Sequence, residues 1–155
     1  MFGKSLSDYL RFQGVILGLI VAVAVARLGL SLAGQPNSSV RWLSVTALMV
    51  VGLLYYSVAV HTTGFGSYKQ LYGLLLIQSV VTEVVIALAI VLAILTGHDN
   101  IYTAPEYSPT ADGKTWFHVT GHLLAGTIVL PLLAWLVGSL ILLVTKKVAP
   151  RSAAA

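Results

Sequence analysis

The 155-residue chain contains no cysteine, which removes disulfides, thiolate metal centres, iron–sulfur clusters and cysteine nucleophiles from consideration. Charge is nearly as scarce. Only 9% of residues are Asp, Glu, Lys or Arg, against roughly 25% in an ordinary soluble domain. A chain with so little polar surface cannot cover a water-soluble globule. No motif fixes a reaction, so no catalytic residue is assigned. The net charge of +4 is not gathered into one basic stripe. Lys4, Arg11, Lys69, Lys146, Lys147 and Arg151 flank apolar stretches, which argues against nucleic acid as a partner.

What remains is apolar: 57% of residues are hydrophobic, with a mean hydropathy of +0.91. Four long apolar stretches cover about 12–33, 42–62, 71–96 and 119–145. Each exceeds the roughly 18 residues needed to cross a hydrocarbon core as a helix. Lipid cannot hydrogen-bond a bare backbone, so these stretches are expected as helices despite their Val and Ile content. The expectation is an all-α, integral membrane four-helix bundle over 1–155, with no separate soluble domain. Short turns at 34–39 and 63–69 and a longer loop at 98–117 join the helices.

With both termini inside, Lys4, Arg11, Lys69, Lys146, Lys147 and Arg151 lie on one side and only Arg41 and Lys114 on the other. The positive-inside rule then favours N-in, C-in, in a plasma membrane of the bacterial inner-membrane type. Trp42 and Trp116 fall at the outer interface, where indoles settle. A rival reading takes Ala24-Val25-Ala26 as a signal-peptidase site. Against it, the apolar stretch runs on through Leu28–Leu32, and Asp8 interrupts the basic start.

Gly14, Gly18, Ala22 and Ala26 recur every four residues on the first helix, and Gly121, Ala125, Ala134 and Gly138 form similar patches on the fourth. Ridges of this kind let backbones approach closely. Packing within the bundle is expected ahead of a dimer face. Pro131 is expected to kink the fourth helix.

Arg27 and Glu83 are the charges deep in spans, and each costs a few kcal/mol to insert. Counted from the inner ends, their depths differ by roughly one turn. An Arg27–Glu83 ion pair is therefore expected, with Tyr55 or Tyr56 as a hydroxyl partner. Such a pair either fixes helix register or serves as a proton or ion relay with Glu83 titrating.

Of the four histidines, His61 reads as a wetted helix end. His98, His118 and His122 fall at the outer ends of helices three and four, and 118 and 122 share a face. With Asp99 and Glu106 they supply enough ligands for a divalent metal. The pair reads H-V-T-G-H, without the glutamate of a zinc-protease helix. Haem b is the other cofactor considered. Its axial ligands approach from opposite faces, so His118 and His122 cannot share one haem, but His98 with either can. The competing structural reading is a polar helix entrance anchored by Trp116.

Three functions of different class fit, in this order. The first is a non-enzymatic membrane subunit working with a membrane-protein partner or as a homo-oligomer. The second is a metal- or haem-binding protein using His98, His118 and His122. The third is a proton-coupled transporter or channel component using Arg27 and Glu83.

Overall fold

Backbone groups that must pair internally and side chains that favour lipid give a chain of helices. A computed structural model of the protein describes residues 1–108 and 110–149. Four helices are long and apolar enough to cross a membrane: Leu6–Leu32, Asn37–Thr62, Tyr68–Thr96 and Trp116–Val148. In finer detail these are α1 (Leu6–Leu32), α2 (Asn37–Val40) running into α3 (Val45–Thr62), and α4 (Tyr68–Thr96). The fourth span is α5 (Trp116–Gly121), a π-helical segment (His122–Val129) and α6 (Leu130–Val148). No strand occurs among the described residues.

The first helix starts six residues ahead of its apolar stretch because it is capped there. Asp8 N donates to Ser5 Oγ at 3.2 Å, and Ser5 N donates to Asp8 Oδ2 at 2.8 Å, a reciprocal capping box. Asp8 is thus a helix-start residue. Ala24-Val25-Ala26 lies inside this unbroken helix, with Ala24 packed against Ile20 and Val45.

The helix α4 is the axis of the bundle. It packs against α1, α3 and every part of the fourth span, whereas among the helices of the bundle α1 packs against α2, α3 and α4. The start of α1, the end of α6 and the turn before α4 share one end, called here the terminal end. Its core is Tyr9, Tyr56, Val60, Leu71, Leu74, Leu75 and Leu142. The opposite, loop end carries the connection from α4 to α5, and its core joins Val40, Ala87 and Ile90 to Ile101, Tyr102 and Val119. Residues 100–104 of that connection are buried. Asn100 Nδ2 donates to Ala89 O at 2.9 Å, so the chain leaves α4 and turns back alongside it. It forms a plug over the bundle mouth.

Two packing expectations change. Gly14 and Gly18 have nothing within 4 Å of where a Cβ would sit, and Ala22 and Ala26 are exposed. The ridge on α1 therefore faces away from the bundle, because α1 buries its Gln13, Leu17, Ile20, Ala24 and Arg27 face instead. Gly138 does pack inside, against Ser57 of α3. At Pro131 the disruption appears as the π-helical segment immediately before it. Proline has no N–H to give the carbonyl four residues back and its ring crowds that carbonyl. A wider turn is one way a helix accommodates this.

Candidate functional site: a carboxylate–histidine chain

A carboxylate at mid-span must find a partner or remain protonated. Glu83 lies thirteen residues short of the end of α4 and is 5% exposed. Its partner is His122, whose Nδ1 lies 2.5 Å from Glu83 Oε2. The other nitrogen, His122 Nε2, lies 3.2 Å from His118 Nε2. His118, 3% exposed, donates from Nδ1 to Gly113 O at 3.0 Å. Glu83, His122, His118 and the Gly113 carbonyl thus form one unbroken chain from mid-span to the loop plug.

Each link has a local cause. The i, i+4 spacing puts the two imidazoles on one helix face, with ring centroids 5.0 Å apart. Thr115 starts α5 by accepting a hydrogen bond from His118 N at 3.1 Å, which anchors the helix beneath the ring. Gly113 is pressed on the plug, and a Cβ there would come within 2.1 Å of Thr103 O. Only a residue without a side chain delivers that carbonyl to His118. Gly126 plays the same part opposite Glu83, where a Cβ would lie 2.5 Å from Glu83 Cδ. Gly126→Ala is therefore expected to push the carboxyl off His122, at a cost of about 1–3 kcal/mol for overpacking. Thermal unfolding in detergent reads that loss, while Gly121→Ala, whose Cβ meets open space, should leave the melting temperature unchanged.

Proton positions follow from donors and acceptors. A carbonyl only accepts, so His118 Nδ1 carries a proton. One proton lies between the two Nε2 atoms and one between His122 and Glu83. Three arrangements satisfy every atom: a protonated Glu83 with two neutral rings, an ionised Glu83 with His122 as imidazolium, and an ionised Glu83 with His118 as imidazolium. All three hold the same number of protons and have no net charge. The excess proton can therefore stand at either end of the chain without any group leaving its partner. That neutrality is also what makes the carboxylate tolerable in lipid.

Two cavities meet at this chain. One of about 560 Å³ is lined by Glu83, Tyr107, Phe117, His118, His122 and Gly126, among others. The other, about 370 Å³, lies between α3, α4 and the fourth span and includes Gln78, Thr82, Glu83 and His122 in its lining. Glu83 and His122 line both; His118 lines only the first.

The expected Arg27–Glu83 ion pair is not formed. Arg27 Cζ sits over the rings of Tyr102 at 5.3 Å and Tyr107 at 4.8 Å, and among the described residues it makes no ion pair. The Tyr102 hydroxyl donates to Ala24 O at 3.1 Å, and Tyr102 packs beside Ala87 and Ile90. Arg27 thus has aromatic faces in place of a carboxylate. Burial pushes the Tyr102 phenol up to about 12 despite the opposing pull of Arg27, so the ring stays neutral beneath the cation. A double-mutant cycle of Arg27→Met with Glu83→Gln should show coupling below about 0.5 kcal/mol, whereas Glu83 with His122 should exceed that several-fold. The reverse ranking would restore the ion pair. Neither tyrosine of α3 joins in: Tyr56 is buried in the terminal-end core and Tyr55 is half exposed.

The proposed metal set does not assemble. His98 is exposed and hydrogen-bonds the Thr96 carbonyl through Nδ1 at 3.0 Å. Asp99 is tied to Lys114, a hydrogen bond that holds the Lys114 ammonium above its ordinary range. Glu106 is exposed on the 3₁₀ turn Pro105–Tyr107. Among the described residues no three His, Asp or Glu side chains converge on a common point as a metal would need. The cause is the backward turn after α4, which buries 100–104 and leaves 98, 99 and 106 at the rim. His61 is at the far end, its Nε2 3.3 Å from Ala149 O.

Sequence reasoning found Glu83, His118 and His122 but assigned them to two different sites. Comparison with family models, curated proteins and solved structures finds no match to this chain.

Proposed function

We propose that this is a proton-handling membrane protein, the working part of a proton-coupled transporter or channel, in which the chain from His118 through His122 to Glu83 carries the proton. The observation that carries this reading is the hydrogen-bonded sequence Glu83–His122–His118–Gly113. Once Glu83 has released its proton to the second cavity, both imidazole rings turn so that His118, under the plug, offers a bare nitrogen to the mouth, and the proton taken up there passes through His122 to Glu83. Intramembrane carboxylates and histidines in series are the usual means of building such relays. In the N-in, C-in orientation favoured by the basic residues, the mouth faces outward and Glu83 stands near the bilayer centre.

The test is reconstitution. Liposomes containing the protein, with an interior pH dye and potassium-clamped voltage, should dissipate an imposed pH gradient faster than empty liposomes. Equal rates would contradict the proposal. A subunit role in a larger assembly is compatible with this reading and is favoured by the outward-facing Gly14 and Gly18 ridge. Co-purification in mild detergent reports on it.

A further inference from the structure

The cavity between α3, α4 and α6 is markedly one-sided. Met49, Leu53, Leu75, Leu130, Leu133 and Val137 make an apolar wall, and α4 contributes a polar edge of Gln78, Ser79, Thr82 and Glu83. The edge exists because these positions recur three and four apart on one helix face. Its only titratable lining groups are Glu83 and His122, and together they are neutral unless the shared proton stands on His118. A cationic ligand would meet the proton held on that pair, and an anionic one would meet the carboxyl. Either would also bear the cost of carrying charge into the span.

One hydroxyl on that edge is conspicuous. Thr62, Thr96, Thr120 and Thr145 each donate to the carbonyl four residues back, as does Thr127, which is how a hydroxyl is satisfied within a helix in lipid. Thr82, 1% exposed, makes no such bond and its Oγ1 has no partner. Gln78, one turn away, gives its Nε2–H to Met49 O at 3.1 Å but leaves Oε1 unpartnered against Gly52. Buried polar atoms without partners are costly, and here two of them belong to residues lining a cavity beside an exchangeable proton.

We infer that this cavity binds a neutral, lipid-soluble molecule with a hydroxyl or carbonyl head, of the hydroquinone and quinone class, whose head oxygen meets Thr82 and Glu83 and whose tail lies along the apolar wall. The inference rests on the relay reading, since the ligand is what the proton at Glu83 is presented to. It concerns binding; no electron transfer is assigned.

The test uses the full chain in lipid nanodiscs, with a decyl-substituted benzoquinone and its hydroquinone as probes and empty discs as the reference. Equilibrium dialysis should show one probe per chain above the lipid background. Thr82→Val, nearly isosteric, and Leu133→Trp, which fills the cavity, should each weaken binding by about tenfold, or roughly 1.4 kcal/mol. Unchanged helix content and melting temperature guard against misfolding. Binding no greater than in empty discs would overturn the inference, as would binding indifferent to both substitutions. Tighter retention of tetraphenylphosphonium or decanoate, lost in Leu133→Trp, would overturn the neutral class. If the probe fails while proton flux persists, the ligand falls and the relay stands; if flux fails while the probe binds, the relay falls.

Discussion

Glu83→Gln should reduce proton movement in reconstituted liposomes to the rate of empty ones. Removing a positioned proton-transfer group typically costs about two orders of magnitude at the step it serves. Here glutamine can still hydrogen-bond His122, so the fold should survive with a loss of about 1 kcal/mol. It cannot take up the excess proton, so the chain loses its inner end. The separation of the two readouts is the point of the experiment: flux collapses and the melting temperature barely moves. Glu83→Asp keeps the acid but shortens the arm that reaches His122, and should retain part of the flux. A Glu83→Gln variant that conducts as well as the wild type would end the relay account.

His122→Ala is expected to be the most damaging substitution to stability, at about 3 kcal/mol near neutral pH. It strips both Glu83 and His118 of their partners, and removing one member of a buried pair leaves an uncompensated polar group in an apolar setting. His118→Ala should cost less, about 1–2 kcal/mol, because Glu83 and His122 remain paired and the Gly113 carbonyl borders the wetted loop. The double variant Glu83→Leu with His122→Leu should regain most of the stability lost in His122→Ala, since two apolar side chains replace a pair that needs each other. Denaturation in detergent ranks these variants. If His118→Ala were the more damaging, the chain would be anchored at the plug rather than at Glu83.

The four spans were legible because length and apolarity dictate helix in lipid, and they appear where the hydropathy placed them, apart from ends set by caps. Ser5 with Asp8, and Thr115 with the His118 amide, extend α1 and α5 beyond their apolar stretches. The pairing of Glu83 with His122 was hidden because level helix ends would hold the two residues apart. Glu83 is thirteen residues from the loop end of α4 and His122 only six into the fourth span, which separates them by about two turns if the ends align. They are bonded because α4 extends past the start of α5 and the intervening chain doubles back to Ala89. No periodicity announces such a turn; in the sequence Asn100 to Ala104 is simply part of the loop, and its burial is seen only in the fold. Arg27 was misassigned for a related reason. A lone arginine and a lone glutamate invite pairing on charge alone, but Tyr102 and Tyr107 reach the arginine first.

The most direct measurement is solid-state NMR of the protein in bilayers, with nitrogen-labelled histidine and carboxyl-labelled glutamate. The relay predicts a scalar coupling across the Nε2–Nε2 hydrogen bond of His118 and His122. It also predicts a His122 Nδ1 resonance that shifts in Glu83→Gln, and a Glu83 carboxyl resonance that shifts in His122→Ala. A Glu83 carboxyl indifferent to the loss of His122, or two histidines whose Nε2 atoms show no coupling, would contradict it.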